Sequence, residues 1–136
     1  MKYMLIMNSP RHGYTQYMNW PKEILEANGK FMQAFAKKLA DAGELVSTAG
    51  LGSPEQAKRV RAGKNGTPIT DGIFPEAKEY LAGYWIVDVP NAERAYQIAA
   101  EASTAPGGAV TGADGRPVDH FWIEVREVVG SSKNLK

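Results

Sequence analysis

"GYWIVDVPNAERAYQIAAEAS", residues 83–103, is the stretch from which the fold can be read. Its first part, 83–89, is apolar on both side-chain parities, with Trp85 and Val87 on one face and Tyr84 and Ile86 on the other. A strand covered on both faces carries that pattern. Pro90 ends it, since proline has no N–H to extend a ladder. Asn91 then stands where a helix cap is needed, before Ala95, Ile98, Ala99 and Ala102 recur at helical spacing. A two-faced strand feeding directly into an amphipathic helix predicts a layered sheet-and-helix domain.

The flanking sequence supplies the remaining elements. "KYMLIMN" at 2–8 reads as a first strand, and "SPRHGYTQYMNW" at 9–20 as a loop rich in aromatic and polar groups. A helix is expected over 22–42, with Ile24, Phe31, Phe35 and Leu39 along one stripe and Leu25, Met32 and Ala36 widening it. Gly29 weakens its first turns, and Gly43 suits the left-handed position that closes it. A second strand follows at 44–51, then a hairpin over 57–70 with "KNG" at its tip. A loose segment at 104–119 leads to a last strand at 120–129. The order is strand, helix, strand, hairpin, strand, helix, strand. That is the ferredoxin-like split βαβ arrangement of the α+β class, with an antiparallel sheet and an inserted hairpin. Residues 1–130 form one domain and 131–136 a frayed tail. Because the strands stay apolar on the face away from the helices, a second copy is the expected cover, giving a homodimeric α+β barrel.

Composition narrows the function classes. A net charge of +1 over 136 residues offers no concentrated basic face, and no nucleic-acid partner is expected. The chain has no cysteine, which removes disulfides, thiolate nucleophiles and cysteine-based zinc sites. No apolar run approaches the roughly 20 residues of a membrane helix, so a cytoplasmic protein without a membrane partner is expected. There is no GxGxxG, Walker loop or GxSxG, and with two histidines far apart no metal or cofactor is expected.

"TDGIFPEAKEYLAGYWIVDV" at 70–89 resembles the signature of the DGPF proteins, a branch of the YCII-related family. Asp71, Gly72, Phe74, Glu76, Lys78 and Glu79 keep the pattern, and Gly83, Tyr84 and Asp88 continue it. Ile73 stands where that hallmark has proline. "MKYMLIM", "LADAGELVSTAGL" and "IEVREV" add to the resemblance, whereas 9–21 and 107–119 depart from it. The resemblance implies the ferredoxin-like dimeric barrel. It also implies a His–Asp acid–base dyad in the YCII branch, for which His12 stands in roughly the corresponding loop.

Asp71 is the leading candidate for chemistry: a carboxylate on a turn, beside a glycine, serves either as a general base or as the acceptor of an Asx-turn. An unperturbed imidazole has its pKa near neutrality, which makes His12 the candidate acid–base partner. Tyr14, Trp20 and Trp85 are candidate ligand-binding walls, with Tyr17 beside them. Glu124 and Arg126 share a strand face and form either a cleft-lining pair or an exposed edge; Asp88 likewise interrupts an apolar strand. His120, beside Asp119, reads as structural. Two functions follow. One is a homodimer that binds a small molecule in a cleft between the sheet, the helices and the 9–20 loop. The alternative is a cofactor-free enzyme on a small-molecule substrate, with Asp71 and His12 handling protons.

Overall fold

The computed structural model describes residues 1–10, 17–73, 77–107, 110–111, 117–118 and 121–130. Strand β1 (Lys2–Ser9) is followed by helix α1 (Lys22–Asp41) and strand β2 (Leu45–Gly50). A hairpin of β3 (Arg59–Ala62) and β4 (Pro68–Asp71) precedes the long strand β5 (Tyr80–Asp88) and helix α2 (Ala92–Ala102). Two-residue strands β6 (Val110–Thr111) and β7 (Pro117–Val118) pair with each other before β8 (Glu124–Glu127). The main sheet has the order β2-β5-β1-β8, and its three pairings are all antiparallel. With α1 and α2 it makes an α+β fold of ferredoxin-like type.

Local signals place the ends. Gly43 adopts φ +74° just past α1, and Asn65 and Gly66 turn the hairpin with φ of 60° and 77°. The Asn91 side chain accepts the Arg94 N–H at 2.9 Å and so caps α2. Gly29 sits inside α1 without breaking it.

The core lies between one sheet face and the two helices. Tyr3 and Leu5 from β1 and Trp85 and Val87 from β5 meet Phe35 and Leu39 of α1 and the small inner side of α2, Ala95, Ile98, Ala99 and Ala102. Trp85 sets its ring edge against Phe35, with centroids 5.6 Å apart. The alternation of strand side chains then sends Met4, Ile6, Tyr84 and Ile86 to the opposite face, where all four remain partly exposed. Burial of β5 on both faces is thus not achieved within one chain. The last strand is also shorter than expected, pairing with β1 only from Glu124.

At the far end of the sheet, Arg94 reaches from the first turn of α2 to Glu44 at the start of β2, donating through two nitrogens at 2.7 Å each. These hydrogen bonds hold the Glu44 carboxyl below the ordinary carboxylate range; burial opposes them and the Arg94 charge adds to them.

Two predictions follow from this packing. Gly83 passes so close to β2 that an added Cβ would lie 3.0 Å from the Ala49 carbonyl oxygen. Gly83→Ala should therefore cost about 1–3 kcal/mol in urea unfolding, the scale of forced overpacking. Glu44→Gln should cost about 1 kcal/mol at pH 7, allowing for solvent around the half-exposed Arg94. Since the folded pKa is lowered, this stabilisation is present above the unfolded carboxyl value of about 4.3 and is lost as pH falls through the folded value. The stability gap between wild type and Glu44→Gln should close in that acid range in pH-dependent unfolding.

Candidate functional site

A cavity of about 440 Å³ opens at the end of the sheet where β2 finishes and β5 begins. Two local features build it. Beyond Gly50 the chain stays attached to β5 for one more residue, Leu51 donating its N–H to the Ala82 carbonyl at 2.8 Å. It then folds into a single tight turn at Pro54–Gln56, for which Ser53 accepts the Glu55 N–H and Pro54 occupies the first helical position. On the other side, a bulge in the β1–β5 ladder at Met7–Asn8 shifts the register, so that Leu81 pairs with Asn8 and Tyr80 with Ser9.

Leu51, Pro54, Ala57, Ile73 and Leu81 give the cavity apolar walls, and Tyr80 contributes its ring. The Tyr80 hydroxyl donates to the Ala77 carbonyl at 3.1 Å. Ser53 and Gln56 bring an uncharged hydroxyl and an amide. None of the described lining residues carries a charge. Such walls hold an apolar body and orient it through one or two hydrogen bonds. Among the described residues, no three His, Cys, Asp or Glu side chains cluster as metal ligands.

None of the described residues singled out in the sequence as site candidates is among the described lining of this cavity. Asp71 ends β4 and is not itself among the described lining residues, although Ile73 two residues on is. One of its carboxylate oxygens accepts the Gly72 N–H at 2.8 Å, and the other meets Arg59 at 3.1 Å. Arg59 also donates to the Gly72 carbonyl. The side chain is 79% exposed. Trp85 is only 4% exposed and belongs to the core, because its strand parity faces α1. Trp20 packs edge-on against Tyr17, with centroids 5.0 Å apart, and lies against Gly107, where a side chain would collide with its ring. Glu124 and Arg126 lie 3.9 Å apart on the exposed edge of the outer face. Asp88 meets the Met1 ammonium at 3.2 Å. His12, Tyr14 and His120 lie outside the described residues.

The sequence signal for the actual cavity was "GSPEQ" at 52–56. Ser before Pro and an acidic residue is a helix-start pattern. It marks a tight turn, though not that the turn overhangs a sheet end.

A ferredoxin-like antiparallel sheet with two helices on one face defines the class. Residues 1–119 match the YCII-related domain, and the chain belongs to that family. It is also similar to the "Uncharacterized protein R00369" of Rhizobium meliloti (strain 1021), 31% identical over 86 residues, which are 63% of this chain and 69% of that protein. No helix among the described residues is long and apolar enough to cross a membrane.

The contacts of Asp71 make a graded prediction. Asp71→Asn keeps an oxygen for the Gly72 N–H and loses only an exposed ion pair, so its thermal midpoint should barely move. Asp71→Ala also loses the turn bond and should cost about 1 kcal/mol, read from melts of the two variants side by side.

Proposed function

We propose that the protein is a homodimeric member of the DGPF branch of its family that binds a small, largely apolar, uncharged molecule in the cavity beside Ser53 and Gln56. The composition of the cavity carries this reading: apolar walls, two uncharged hydrogen-bonding groups, and no charged group among its described lining residues. A binding role also agrees with the occupation of Asp71 by its own turn and by Arg59, which leaves that carboxylate as a fastener of the β4 end. The DGPF assignment rests on the 71–88 pattern; Ile73, the departure from its proline, lines the cavity.

The homodimer is supported by the outer sheet face. Met4, Ile6, Tyr84 and Ile86 form a contiguous apolar centre on the two middle strands, paired as Met4 with Ile86 and Ile6 with Tyr84. Packing two such faces together removes that surface from water at a gain of roughly 25 cal/mol per Å².

Two measurements test the reading. Sedimentation at micromolar concentration should show a dimer, and Ile86→Lys should shift it to monomer by placing an unpaired charge in the joint. A monomeric wild type refutes the dimer. In ligand-observed NMR against a panel of uncharged aromatic and aliphatic amides and alcohols, hits should disappear with Leu81→Glu, which charges the cavity wall. They should survive Asp71→Asn. Hits that persist in Leu81→Glu place binding elsewhere and refute the site.

A further inference from the structure

The outer face is asymmetric in a way that specifies how two copies meet. On the β8 side, Trp122 is 95% exposed, and Glu124 and Arg126 follow it at every second residue. On the β2 side Ser47 and Ala49 stand in register with Ile86 and Tyr84, and the bulge beside Ser47 leaves Val46 49% exposed.

Two facing sheets can be related by a two-fold axis across the strands or along them. An axis across the strands sets each edge over its own copy and carries Lys2 and Asp88 over the opposite end of the sheet, where Asn8 and Leu81 offer no charge. An axis along the strands sets β8 over the partner's β2 and β1 over the partner's β5. Large side chains then fill the space above small ones. The register also places charges opposite each other: Lys2 and Asp88 are cross-strand neighbours on this face, so each Lys2 meets the partner's Asp88. The middle rows match as well, Met4 over the partner's Ile86 and Ile6 over the partner's Tyr84.

This axis preserves the ends of the sheet while exchanging its edges. Trp122 precedes Glu124, which pairs with Ile6, so it belongs to the end of the sheet that holds Asn8 and Leu81. The cavity opens at that same end, at the opposite edge, between Leu51 and Leu81. The edges of four strands are roughly 14 Å apart, too far for Trp122 to reach its own cavity across the face. Facing sheets are separated by only about 10 Å, a gap that an indole spans.

We infer that two copies associate through their outer sheet faces about a two-fold axis parallel to the strands, and that each copy's Trp122 closes the partner's cavity. The inference rests on the dimer reading above and deepens it: the binding site is completed in trans, and its ligand stacks on an indole. This accounts for a nearly bare tryptophan and for the exposure of Leu51 (45%) and Leu81 (38%) at the cavity in a single chain.

The absence of cysteine permits a single reporter. Gln56→Cys, at the exposed cavity rim, is labelled with bimane, which tryptophan quenches on close approach. The label is carried on a subunit that also has Trp122→Phe, and that protein is mixed with a large excess of unlabelled wild type. Emission should fall severalfold relative to the same mixture made with unlabelled Trp122→Phe, because only a partner can then supply the indole. Undiminished emission in a mixture that sedimentation shows to be dimeric overturns the inference and leaves the dimer standing. A monomer in sedimentation overturns both. Should Trp122→Phe not fold, labelled Gln56→Cys alone is diluted through its dissociation. Its emission should rise as dimers separate, and a flat signal overturns the inference.

Discussion

The antiparallel pairing of β1 with β5 is the constraint on which the rest of the structure hangs. From Lys2 opposite Asp88 to Ser9 opposite Tyr80, it joins strands distant in the chain at the centre of the sheet. Every other strand of that sheet attaches to one of these two. Their alternation decides which side chains meet the helices. Leu5, Trp85 and Val87 are driven to the core together, and Met4, Ile6, Tyr84 and Ile86 are driven out together. A slip of one residue would exchange the two sets. The tight approach of Gly83 to Ala49 locks β2 onto the same frame.

The same ladder creates the cavity by failing locally. At Met7–Asn8 the extra residue on β5 breaks the regular pairing near its start. The bulge, together with the proline turn after β2, leaves apolar side chains lining a space instead of filling it. The cavity of the proposed binding role thus lies where the regular pairing ends, beside a rigid centre.

Charged groups act as fasteners around this frame. Arg94 and Glu44 tie α2 to the start of β2, Arg59 and Asp71 tie the two ends of the hairpin, and Lys38 reaches Glu101 between the helices at 2.6 Å. The two last pairs are well exposed, and exposed pairs contribute little stability each. Their effect is to choose among arrangements that the apolar core alone would tolerate. Asp71 illustrates the point: the carboxylate that looks most like a catalytic group is spent on its own turn and on the strand beside it.

Periodicity and punctuation determined the elements and their order. The spacing of Phe31, Phe35 and Leu39, the Ala-rich side of α2, Asn91 after Pro90, and Asn65-Gly66 at the hairpin tip are local signals, and local sterics and hydrogen bonds enforce them wherever the chain goes. Even Asn28, buried on the α1 stripe and donating to the Pro106 carbonyl at 2.9 Å, keeps the helical period while departing from its apolar rule. The site was not legible in this way. Trp85 looks like a pocket wall and is core, because only its pairing with Leu5 fixes the face it takes. Glu124 and Arg126 read equally as a cleft pair or an exposed edge, and only the place of β8 at the end of the sheet puts them on its edge. Leu51, Pro54, Ile73 and Leu81 have nothing in common along the chain. A cavity is the space left between segments that meet only after folding, so its position depends on register and on one bulge, neither of which is written at any single residue.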